Sequence, residues 1–118
     1  MTEKINDYKD LIVWQKAVSL VQEVYLLTQK IPKEELYGIT NQIRRSVVSI
    51  PSNIAEGRYR KTKKDFSQFL HIAYGSTAEL ETQLILLEKL YKISSPTCNE
   101  LIIKIRKMLA VFIKKISL

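Results

Sequence analysis

Ile43, Val47, Ile50 and Ile54 recur every three or four residues, which is the spacing of one buried face of an α-helix. Beside them Gln42, Ser46, Ser49, Asn53 and Glu56 follow the same alternation, so a polar stripe runs the length of the same helix. Burial alone does not select such a stripe, which must face something polar. The same reading divides the rest of the chain. Leu11, Trp14, Val18, Val21 and Tyr25 keep heptad-like spacing, predicting a first helix capped by Asp10, running to about Lys30 and ended by Ile31-Pro32. The second starts near Glu34 or Glu35, adds Leu36 and Ile39 to its apolar face, and stops at Gly57. Pro51 lies inside it, where the lost donor and the freed carbonyl of Val47 predict a kink or local unwinding, with Ser49 and Ser52 placed to satisfy the freed groups.

Thr62 and Asp65 have capping-box spacing and open a third helix, whose inward stripe is Phe66, Phe69, Ala73, Ser76, Leu80, Leu84 and Leu87, ending near Tyr91. Gly75 and Ser76 form a small patch midway that would permit close helix approach. Ser95-Pro96 supplies a cap and a first-turn proline for a fourth helix using Leu101, Ile105, Met108, Phe112 and Ile116. The expected fold is therefore all-α: an antiparallel up-and-down four-helix bundle over residues 10–118, preceded by a polar, flexible arm at 1–9. Helices of twenty-odd residues span ~30 to 40 Å, so the bundle should be elongated. Ile102, Leu109 and Ile113 flank the assigned core positions of the fourth helix, an apolar excess that an oligomer contact would cover.

Composition agrees. At 118 residues, with 46% apolar residues and only three glycines and three prolines, the chain is one helical domain able to bury a core unaided. A single cysteine, Cys98, cannot form an intrachain disulfide, and no apolar run nears the ~20 residues of a membrane helix. With no secretory signal at its start, the protein is expected to be cytoplasmic and soluble.

Charge changes the picture further. The net charge is +7, and seven of the nineteen Lys and Arg fall between Arg44 and Lys64, five more between Lys104 and Lys115, whereas Asp65 to Glu88 holds four acids and no base. Such polarity suits a polyanionic partner, nucleic acid above all; a solubilising surface is the plainer alternative. Arg58, Arg60, Lys61, Lys63 and Lys64, clustered around the link between the second and third helices, are the candidate phosphate contacts. The aromatic residues form no interleaved basic and aromatic strand motif, so binding is expected to read backbone and shape.

Catalytic chemistry finds little footing. His71 is the only histidine, Glu-x-x-His and paired Cys/His ligands do not occur, and the glycine-rich phosphate loops and the nucleophile elbow are missing. Nothing nearby would tune Glu56, Glu79 or Glu81 as an acid and base pair, so no enzymatic activity, cofactor or metal is expected. The polar stripe has a structural reading: in a helix 2–helix 3 hairpin, Gln42 to Arg45 lie alongside Ser76 to Glu79, and Arg44 or Arg45 can pair with Glu79 within the bundle or between subunits. Asn53 and Glu56 either bridge beside Pro51 or face a neighbouring subunit. Trp14 and Tyr25 are assigned to the core.

Several segments, taken in order, resemble one family: Asp10-Leu11 and Val13 to Ala17, Pro32, Tyr37-Gly38, Gln42 to Arg45 (QIRR), Ser49 to Gly57 (SIPSNIAEG), Phe69-Leu70, Ile72-Ala73, Gly75-Ser76 and Glu79 to Leu84 (ELETQL). Together they are similar to the four-helix-bundle, S23-like proteins encoded by intervening sequences of bacterial 23S ribosomal RNA. The resemblance implies a homopentameric ring without assigned catalytic activity. It also implies kinship with the accessory variability proteins of diversity-generating retroelements, which work with a reverse transcriptase and nucleic acid. RNA is then the favoured partner, and a scaffold for a protein partner is the alternative. Ser46-Val47 stands where small alanines are common, and Thr62 and Asp65 where a Ser and Glu cap is usual; these departures touch packing and capping only.

Overall fold

The computed structural model describes residues 7–117; residues 1–6 of the expected arm lie outside the described residues. Four helices account for most of the chain: α1 (Ile12–Thr28), α2 (Asn41–Arg58), α3 (Lys63–Tyr91) and α4 (Pro96–Ile116). Each packs against its two neighbours in the cyclic order α1, α2, α3, α4, which makes an up-and-down bundle. Its extents are 51 × 24 × 20 Å, and its radius of gyration of 15.1 Å exceeds the about 13.5 Å of a compact domain this long, so the bundle is elongated.

The caps show how local sequence sets the ends. Thr62 Oγ1 accepts from the backbone N–H of Asp65 at 3.1 Å and starts α3; Ser95 Oγ accepts from that of Cys98 at 3.1 Å, with Pro96 as first residue of α4. Asp10 does not cap α1. A 3₁₀ turn, Tyr8–Asp10, is capped instead by Asp7, whose Oδ1 accepts from the N–H of Lys9, and Leu11 enters α1 without a side-chain cap. Tyr8, assigned to the polar arm, packs edge-on against Trp14.

Between α1 and α2 the backbone breaks at Gly38 (φ −110°, ψ −116°), inside a π-helical turn, Leu36–Thr40, that follows a 3₁₀ turn, Lys33–Glu35. The expected interruption at Pro51 is absent as an unwinding: α2 stays α-helical through it, and Pro51 is buried. Ser49 does not serve the freed groups there; its carbonyl and hydroxyl both accept from Asn53 Nδ2, at 2.8 and 2.9 Å. Tyr91, at the end of α3, donates its hydroxyl to Glu35 Oε2 and ties the α1–α2 link to the bundle. That carboxylate also raises the pKa of the Tyr91 phenol. The chain leaves α3 through Lys92, which holds the left-handed conformation (φ 59°) usual for glycine.

Ile43, Val47, Ile50 and Ile54 are fully buried, as their spacing requires. On α1 and α4 the buried stripe is rotated by one residue from the expected one. Val13, Ala17, Leu20 and Val24 line the core of α1, leaving Trp14, Val18 and Val21 half-buried and Tyr25 exposed. On α4 the core residues are Cys98, Ile102, Ile105 and Leu109, while Leu101, Met108, Phe112 and Ile116 are partly buried at its edge. These helices carry adjacent apolar pairs, Val13-Trp14, Ala17-Val18, Leu101-Ile102 and Met108-Leu109, only about 100° apart on the helix. At bundle spacing the compact member fits the axis, and Trp14 and Tyr25, with polar tips to satisfy, go to the flank. Ile102 and Leu109 therefore contribute no free apolar excess, and Ile113 is half-buried.

The glycines exchange roles too. Gly75 faces open space, whereas Gly57 is buried where a Cβ would come within 2.7 Å of Phe69 Cβ and 2.9 Å of Phe66 Cδ1. Close approach of α2 and α3 depends on Gly57, which is within α2 rather than its stop.

Candidate nucleic-acid interface

Antiparallel order brings the start of α1, the α2–α3 link and the end of α4 to one end of the bundle. Tyr8 meets Tyr59 with ring centroids 5.8 Å apart, and Phe66 meets Phe112 at 5.3 Å. All five candidate cations are here. Lys61, Lys63 and Lys64 are exposed and, among the described residues, form no ion pair; Arg58 is half-buried. Arg60 is already engaged: Nη2 lies 2.9 Å from Glu56 Oε2, and the guanidinium rests over the Phe69 ring at 4.6 Å. Both partners of that ion pair are open to water, so it holds Arg60 only weakly. Lys114 and Lys115 on the last turn of α4 add exposed positive charge to the same end.

A second polar assembly follows the α2–α3 seam. Ser49 and Ser76 share a hydrogen bond of 2.9 Å, and Gln42, Arg45, Ser46, Ser49 and Glu79 line an open depression above it. The hairpin register therefore places Arg45 and Glu79 around one hollow, but neither arginine pairs with Glu79 inside the chain. Arg44 turns to α1, where its Nε–H donates to Thr28 Oγ1 at 2.9 Å and its guanidinium covers the Tyr25 ring at 4.6 Å.

The pairing that ties α3 to α4 involves residues the sequence reading did not assign: Arg106 Nη2 lies 2.8 Å from Glu81 Oε1, and its Nε–H donates to Thr77 Oγ1 at 3.1 Å. An arginine one position from a buried isoleucine, opposite Thr77 and Glu81 of α3, is detectable only once the helix rotations are known. Asn53 bonds within its own helix. His71 Nδ1 lies 2.8 Å from the carbonyl of Ser67 and 3.4 Å from its hydroxyl, one turn back on the exposed side of α3. Cys98 is fully buried, and that burial pushes its thiol pKa up, which disfavours the reactive thiolate. Among the described residues no cluster of three His, Cys, Asp or Glu could hold a metal ion, and no helix is long and apolar enough to cross a membrane.

Residues 9–114 match the family described as 23S rRNA-intervening sequence protein. The chain belongs to that family. A crystal structure of a protein of unknown function from the S23 ribosomal protein family of Bacteroides thetaiotaomicron superposes with a TM-score of 0.79 at 27% identity, covering 87% of this chain and 99% of that one. No curated protein matches. The matched span takes in Arg58 to Lys64, Lys114 and the polar seam, so these belong to the family domain rather than to an appended segment.

Proposed function

We propose that this family member is a non-catalytic, cytoplasmic RNA-binding bundle that grips phosphate backbone with its basic end and has weak sequence preference. The observation that carries the reading is the exposed trio Lys61, Lys63 and Lys64, beside Arg58 and Arg60 on a rigid helix hairpin with no acid pairing the trio. The family's description, tied to 23S rRNA, favours RNA over DNA.

Cations that displace counterions make affinity fall with salt, by about 0.7 to 0.9 in log K per log salt for each phosphate contacted. Five contacts per subunit give a slope of about −3.5 to −4.5. Anisotropy titrations with ribosomal RNA, unrelated RNA and duplex DNA at several salt concentrations read this slope. Converting Lys61, Lys63 and Lys64 to glutamine should reduce it by about 2 to 3 while the thermal melt is unchanged. Absence of binding to all three at low salt would overturn the reading and leave a scaffold for a protein partner, such as a reverse transcriptase, in its place.

The resemblance to ring-forming relatives leads us to assign a homopentamer, in which the basic end repeats around a rim and weak contacts act together. Support for a subunit contact comes from the α2–α3 face, where the Arg45 and Glu79 hollow, the open side of Gly75 and exposed Val48 and Ile72 lie. Light scattering after size exclusion should return five times the chain mass. A monomer at micromolar concentration and moderate salt would reject the ring.

A further inference from the structure

We infer that Tyr59 is a stacking platform for an unpaired base, so that the basic end takes single-stranded RNA in preference to duplex. This inference rests on the phosphate-binding reading above and narrows its substrate. Tyr59 follows Arg58 as the C-cap of α2, and its backbone N–H donates to the carbonyl of Glu56 at 3.2 Å, so its backbone is held by the helix end. It is 68% exposed, whereas Tyr8, Trp14, Phe66, Phe69 and Phe112 at the same end are all half-buried.

Behind it stands a supporting row: Tyr8 meets Tyr59 at 5.8 Å with the planes 71° apart, and Trp14 meets Tyr8 at 5.2 Å and 68°. An edge-on neighbour covers at most one face of a ring, which leaves a face of Tyr59 open. Arg58, Arg60 and Lys61 flank it in sequence, and Lys9 lies 5.9 Å from the Tyr8 centroid. A lone exposed tyrosine is ordinary. A buttressed ring with an open face, set among cations that can follow a phosphate chain, is the combination by which single strands are held. Duplex bases are stacked on one another and offer that ring nothing, so only their phosphates would be bound.

The test compares labelled single-stranded oligouridylate and oligoadenylate with an RNA duplex, by anisotropy, on wild type, Tyr59→Ala, Tyr59→Leu and Tyr59→Phe. Tyr59→Ala and Tyr59→Leu should weaken single-strand binding about 5- to 150-fold, the range stacking supplies per base. Duplex binding and the salt slope should not change, and Tyr59→Phe, which keeps the ring, should stay within about twofold of wild type. Thermal melts of the leucine and phenylalanine variants verify that the bundle is intact. If wild type binds with a steep salt dependence but Tyr59→Leu weakens neither ligand, or both equally, the stacking role is refuted and phosphate binding stands. If wild type binds no nucleic acid at low salt, the functional reading fails and this inference with it.

Discussion

Gly57→Val should destabilise the bundle by about 3 kcal/mol, the upper part of the range for overpacking a tight core. A Cβ at this position would stand 2.7 Å from Phe69 Cβ, an atom fixed close to the α3 backbone, so the two helices must separate rather than a side chain swing aside. Alanine isolates the effect. Its helix propensity favours it over glycine by about 1 kcal/mol, so a net loss in Gly57→Ala reports steric crowding stronger than that gain. Urea unfolding at constant slope measures both variants. An alanine variant more stable than wild type would mean that α2 and α3 lie farther apart than 2.7 Å contacts allow. The basic link begins at the next residue, so separation of the helices here would also displace Arg58 and Tyr59.

Leu109→Ala should lose about 2 to 5 kcal/mol, because the leucine is fully buried between helices and its removal leaves a cavity. Val111→Ala, two residues on and exposed, should stay within about 0.5 kcal/mol. Met108→Ala, at the edge of the core, should fall between them. This order tests the rotation of α4 directly. A larger loss at Met108 than at Leu109 would restore the expected stripe, and with it the free apolar surface that Ile102 and Leu109 do not provide.

The parts of the fold legible in the sequence are those where one residue type has one physical role. Ile43, Ile50 and Ile54 are the large apolar residues of a largely polar helix, and they choose Val47 over its neighbour Val48, so their face is unambiguous. Thr62 and Ser95-Pro96 each supply a cap that only a helix start can use. Legibility ends where two neighbours serve equally well. Val13-Trp14 and Met108-Leu109 differ in shape rather than polarity, and the choice is made by the space between helices, which no local pattern encodes. Gly57 looks like a stop because glycine usually ends helices, yet here the missing side chain admits Phe66 and Phe69. For the candidate site, the basic run is plain from charge. Which cations are engaged is not: Arg60 pairs with Glu56 four residues earlier, and Arg44 turns to Thr28 and Tyr25 rather than Glu79. Tyr59 carries no signal of its own within the run, because its support by Tyr8 depends on the turn that precedes α1.

Trp14 is the only tryptophan in the chain, beside six tyrosines. It is therefore the sole acceptor for tyrosine excitation, and it stands one ring removed from Tyr59 through Tyr8. The molecule carries its own fluorophore at the end that matters. Emission from Trp14 reports the packing of that end without any label, and a spectral change on adding a strand can be assigned to one place in the fold.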